Sequence, residues 1–175
     1  NVWSHSDPAA AAAWVTAHVG DSEEKRNAMM DNVFMNWAGE PSAMLQWAAT
    51  MDADTVRAAW GQIVSFNLEY TTAHLEEFAA TADAAAYEAL ISRVDFSDGT
   101  AGRMLQLMPD DMNVSIERPM QSWLTEKPEE ATEWVRGLPE GARRTNATNV
   151  IVTHLNDTGD HEGAFAWAAT MPHWC

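Results

Sequence analysis

The pentapeptide Trp47-Ala48-Ala49-Thr50-Met51 recurs unchanged as Trp167-Ala168-Ala169-Thr170-Met171. A looser copy is Phe78-Ala79-Ala80-Thr81-Ala82, and weaker ones are Trp134-Val135-Arg136-Gly137-Leu138 and Met104-Leu105-Gln106-Leu107-Met108. Trp14-Val15-Thr16-Ala17-His18 precedes them all. The anchors Trp14, Trp47, Phe78, Met104, Trp134 and Trp167 are therefore spaced by 33, 31, 26, 30 and 33 residues. A period of that size marks an array of small supersecondary units, because no unit of about 30 residues buries its own apolar surface.

Proline sets the phase of each unit. Pro8, Pro41 and Pro128 each fall six residues before an anchor. Proline suits the first helical turn, where its missing N–H has no partner in any case. Asp7 stands where it can cap the first of these helices. Each anchor is thus expected about two turns into a short helix A, with Pro109, Pro139 and Pro172 stopping three of them. A longer helix B follows, expected over 21–38, 53–67, 83–93, 111–125 and 142–155. Asp21 and Glu24 have capping-box spacing, and Ala28, Met29, Val33 and Trp37 recur at helical intervals. Several B helices end on a bulky residue: Trp37, Phe66, Trp123, and His154 or Leu155. Trp3 reads as the tail of an earlier B helix. Alternating strand patterns are absent. The one glycine-marked interruption, Ser97-Asp98-Gly99-Thr100, falls in the shortest interval, where an irregular turn is expected.

These features predict an all-α fold: a right-handed α-α superhelix (solenoid) of about five to six hairpins, with a repeat of about 30–33 residues. Residues 1–175 read as a single helical repeat domain, a fragment of a longer array or of a larger protein. Alanine lets neighbouring helices approach, and the anchor tryptophans are expected to fill the gaps as core residues rather than as a ligand cage. On that reading Trp14→Ala or Trp134→Ala costs roughly 3–5 kcal/mol.

The run from Asp7-Pro8 to Trp14 resembles the junction between tetratricopeptide repeats, where Asp-Pro precedes a helix-A tryptophan by the same interval. Glu40-Pro41 to Trp47 and Lys127-Pro128 to Trp134 are similar. The family's later Gly and Tyr positions in helix A are not matched. The chain therefore resembles a tetratricopeptide-like or HEAT-like α-solenoid. It is also similar to tryptophan-rich repeat arrays of uncharacterised bacterial proteins. The resemblance implies a scaffold that presents a curved face to a peptide or protein. It carries over no functional residue.

Composition narrows the partners. The formal net charge is −16, with lysine only at 25 and 127. Such a surface repels phosphate backbones and anionic membranes, so nucleic acid is not expected as a partner. No apolar run is long enough for membrane insertion. The lone cysteine, Cys175, cannot form a disulfide within the chain or a cysteine-based zinc site.

Chemistry-bearing clusters each have a plain structural explanation. His74 and Glu77 share a helix face, as a helical histidine beside a carboxylate commonly does. The turn Asp157-Thr158-Gly159-Asp160-His161-Glu162 is rich in oxygen ligands but lacks the EF-hand spacing, and reads as an inter-helix turn capped by Asp160. Asp110-Asp111, Glu76-Glu77 and Glu129-Glu130 suit helix starts. Arg26, Arg57, Arg143 and Arg144 recur early in B helices, where pairing between repeats is expected. We therefore assign no catalytic, cofactor-binding or metal-binding residue and expect no cofactor. The expected role is a non-catalytic scaffold for a peptide or protein partner. The alternative is a helical accessory domain of a larger cell-envelope or hydrolytic enzyme. Uncapped repeat ends would also permit self-association, and the compartment is open.

Overall fold

The computed structural model describes residues 7–18, 23–37, 39–96 and 99–171. Among them are twelve α-helices and no strand. The chain divides into two compact units, one ending at Arg93 and the other beginning at Val94.

The first unit contains α1 (Pro8–His18), α2 (Glu23–Trp37), α3 (Pro41–Ala48), α4 (Ala53–Phe66), α5 (Leu68–Ala73), α6 (Leu75–Ala79) and α7 (Ala84–Arg93). Short and long helices alternate as the proline phase requires, and each long helix packs on the next: α2 on α4, and α4 on α7. Helix starts follow local chemistry. The Asp7 carboxylate accepts from the Ala10 N–H at 2.9 Å, and Asp52 accepts from both Thr55 N–H and Thr55 Oγ1. The two backbone N–H groups, of Ala10 and Thr55, are donors that a helix start leaves unpaired, and the Thr55 hydroxyl reinforces the second cap. The third short helix has no proline start. Asn67 caps α5 instead, and the helix breaks at His74, so Phe78 sits on the separate α6.

The second unit contains α8 (Thr100–Leu107), α9 (Glu117–Glu126), α10 (Pro128–Gly137), α11 (Ala142–Thr158) and α12 (His161–Ala168). Here α9 packs on α8, α10 and α11, and α11 packs on α10 and α12. Pro109 and Pro139 follow two helix ends as expected. Pro172, Trp3, Asp21 and the glycine turn's Ser97 and Asp98 lie outside the described residues. One expected boundary is corrected. A helix over 111–125 would carry Pro119 in its interior, where the ring clashes with the preceding turn. The helix instead starts at Glu117, placing Pro119 in its first turn, and residues 108–116 form an irregular segment.

The core also differs from expectation. Phe78 and Met104 are fully buried, but Trp14 is 42% exposed, stacked on His18 of its own helix. Trp47, Trp134 and Trp167 are only half-buried. The fully covered tryptophans belong to the long helices: Trp37, Trp60 and Trp123. The reason is placement. The long helix α4 packs against α2, α3, α5 and α7, so its apolar face is covered from several directions. Trp60 meets Phe78 edge-on at 5.6 Å, and Phe78 meets Tyr87 at 5.1 Å, in the T-shaped geometry aromatic pairs favour. Phe66 ends α4, as expected for that helix, and is 58% exposed there.

Candidate functional site

The clusters around His74, in the 157–162 turn and at Glu129-Glu130 resolve into local structure. His74 stacks on Tyr70 at 3.9 Å, with Nδ1 at 2.9 Å from the Tyr70 carbonyl. Glu77 is exposed in the first turn of α6. In the 157–162 turn, Asp160 accepts from the Gly163 N–H and caps α12, and His161 Nδ1 lies 3.1 Å from Asn156 Oδ1. Glu129 and Glu130 begin α10, with Glu130 paired to Lys127 at 3.2 Å. No group of three or more His, Cys, Asp or Glu side chains able to hold a metal occurs among the described residues. No helix among them is long and apolar enough to cross a membrane.

Two of the four arginines, Arg57 and Arg143, tie their helices to distant segments of the chain. Arg57 on α4 pairs with Asp54 on its own helix and reaches Asp83, just before α7, at 3.5 Å. Arg143 is the one buried arginine among the described residues. Its guanidinium donates to the carbonyls of Met108 and Pro109, and lies 3.5 Å from Asp110. A planar fork holds two nitrogens at a fixed separation, each aimed at its own carbonyl, a geometry that a lysine's single nitrogen does not reproduce. Arg143 thus ties α11 to the irregular segment after α8. Arg144 bonds within its own repeat, to the Leu138 carbonyl. The side chain of Arg26 lies outside the described residues.

Several concavities occur among the described residues, and two of them bear on function. One, about 320 Å³, lies between α9 and α11 and is lined by polar side chains that include Gln121, Asn146, Asn149 and Thr153. The other, about 560 Å³, lies in the first unit between α1, α2, the α3–α4 turn and α4. Trp47 gives it an aromatic side, with the fully buried Phe34 packed behind at 6.0 Å between ring centroids and 69° between planes. Met30 and Met51 add soft, adaptable surface. Asp31, Asp52 and Asp54 stand at its edge, and no described lining residue is basic. Asp52 caps α4 and Asp54 meets Arg57, so the helix-cap geometry that starts α4 also brings two of the carboxylates here. The second cavity is the candidate site, because it joins an aromatic anchor to charge of one sign.

The sequence marks no site residue, and its repeat pattern predicts Trp47 to be core. A signal was nonetheless present. Residues 7–51 and 127–171 align without a gap, with proline, tryptophan, glycine and the terminal Trp-Ala-Ala-Thr-Met at matching positions. The duplicated pentapeptide also has one backbone geometry. Thr50 N–H donates to Trp47 O and Thr170 N–H to Trp167 O, both at 3.0 Å, and each threonine hydroxyl repeats that bond at 2.7 Å. Positions that differ against this shared frame are the informative ones. Comparison with protein-family models, with curated proteins and with solved structures finds no match.

Proposed function

We propose that this chain is a non-catalytic helical-repeat scaffold, an α-solenoid of the tetratricopeptide-like or HEAT-like kind, that binds a peptide or protein partner. The observation that carries the binding reading is the groove of the first unit. Trp47 is half-buried there, beside two methionines, and the opening is large enough for one or two side chains of an extended segment. The duplicated motif and the alternation of short and long helices support the repeat reading. The chemistry-bearing clusters are absorbed by caps, stacking and ion pairs, which favours binding over catalysis.

The test is a peptide-display selection against the folded protein, followed by calorimetric titration of the enriched sequences. The expected result is convergence on a shared motif that binds saturably with one peptide per chain, in the micromolar range typical of such encounters (roughly 8 kcal/mol of binding free energy). If no sequence saturates the protein below millimolar concentration, the scaffold reading is overturned.

A further inference from the structure

The two ungapped copies place different residues over the same tryptophan. In the second unit, the Arg136 guanidinium carbon on α10 lies 5.1 Å from the ring centroid of Trp167, within cation–π range. In the first unit, the position matching Arg136 is Thr16 on α1, and the position matching Trp167 is Trp47. Both pairs are separated by the same 31 residues, and in both units the two short helices pack against the long helix between them. Thr16 bonds back to its own helix, its hydroxyl donating to the Ala12 carbonyl at 3.0 Å. It therefore lines the groove without filling it.

The matching position on the long helix differs too. Ile151 is fully buried in α11, whereas its counterpart Asp31 is an exposed carboxylate on the wall of the groove. The copy that supplies its own arginine has an apolar residue at that place. The copy that lacks the arginine has an acid there instead, and Asp52 and Asp54, the latter paired with Arg57, line the same groove.

We propose that the groove takes the arginine side chain of a basic, extended segment of another protein, seated over Trp47 as Arg136 is over Trp167. This rests on the peptide-scaffold reading above and names the partner's chemistry. Arginine fits better than lysine, because its flat, weakly hydrated head stacks on an indole while its N–H groups reach the carboxylates. The methionines accommodate the aliphatic stem. The chain's net charge of −16 draws in such a segment and repels acidic ones.

The experiment uses the whole chain and three synthetic decapeptides of one sequence, with arginine, lysine or citrulline at the central position. Binding is read by calorimetry and by the Trp47 indole N–H resonance. The expected result is saturable binding of the arginine peptide, about tenfold weaker binding of the citrulline peptide, and weakening with salt. The decisive variant is Thr16→Arg, which gives the first copy the arginine of the second. It should fold with an unchanged circular dichroism spectrum and lose arginine-peptide binding at least about tenfold. Asp31→Asn should weaken the arginine peptide more than the citrulline one.

Equal binding of arginine and citrulline peptides overturns the inference but leaves the scaffold reading standing. So does full binding by Thr16→Arg. No binding of any peptide, together with a display selection that enriches nothing, removes both. If Thr16→Arg instead dissociates a dimer seen by analytical ultracentrifugation, the occupant is a second copy and the foreign-segment proposal falls.

Discussion

Gly102 in α8 lies against the indole of Trp123 in α9, and its replacement by alanine tests the packing of the second unit. A Cβ built at Gly102 falls 2.7 Å from Trp123 Nε1 and 2.8 Å from Cζ2. Carbon contacts are favourable only from about 3.5 Å outward. The ring has little room to withdraw, because Trp123 is 1% exposed and Trp134 flanks it at 5.4 Å. Two effects oppose each other in Gly102→Ala. Alanine gains about 1 kcal/mol in a helix interior relative to glycine. Overpacking a filled core costs about 1–3 kcal/mol, and the overlap with several atoms of a rigid ring puts this case at the upper end. The net expectation is a loss of about 1–2 kcal/mol. With an urea m-value of about 2 kcal/mol/M, the midpoint falls by roughly 0.5–1 M.

The control is Gly61→Ala in α4, where nothing lies within 4 Å of the built Cβ. Only the helical gain operates there, so that variant should be more stable by about 0.5–1 kcal/mol. The assay is urea unfolding followed by far-ultraviolet circular dichroism. Placing Gly102→Ala in a Trp123→Phe background should recover most of the loss, because the smaller ring vacates the contested space, and that coupling identifies the ring as the cause. If Gly102→Ala alone is as stable as the parent while Gly61→Ala gains stability, the overlap argument is wrong.

Other perturbations separate the same principles. Trp123→Ala should cost about 3–5 kcal/mol in the same unfolding assay, whereas Trp14→Ala, at a 42% exposed position, should cost about 1 kcal/mol or less. The reverse order would restore the view that the anchors form the core. Arg143→Lys should lose about 1–3 kcal/mol, because a single ammonium nitrogen replaces the two guanidinium nitrogens that separately reach the Met108 and Pro109 carbonyls. Faster amide exchange across residues 108–116 would place that loss, and unchanged exchange would argue against the tie. Raising sodium chloride from about 0.05 to about 0.5 M should increase the urea midpoint, because salt screens the self-repulsion of a −16 chain. A falling midpoint would mean that its ion pairs outweigh that repulsion.

Helix order was legible in the sequence because the rules that set it are local. Pro8, Pro41 and Pro128 each open a helix, and Asp7 and Asp160 cap theirs, using neighbours no more than four residues away. Where a local rule was passed over, as with Pro119 inside the expected 111–125 helix, the boundary moved to obey it. Which tryptophans are buried was not legible, because burial depends on the number of helices that close over a position. Trp14 and Trp47 carry the same motif role as Phe78, yet Phe78 alone lies under both Trp60 and Tyr87.

The candidate groove was hidden for a related reason. A repeat motif is recognised by what stays the same, and Trp47 was recognised through its identity with Trp167. Function is written in the positions that the two copies do not share. Thr16 against Arg136 changes what covers the ring. Asp31 against Ile151 changes whether the wall beside it is charged or apolar. Met30 against Val150 exchanges a short, stiff side chain for a long adaptable one. Each difference alone is a single substitution on a helix. Together they act around one tryptophan: the second copy sets an arginine over the ring and a buried apolar residue on the long helix, where the first has a threonine and an exposed carboxylate. That concerted change, rather than the abundance of tryptophan, is what supports reading the first copy's groove as a binding site.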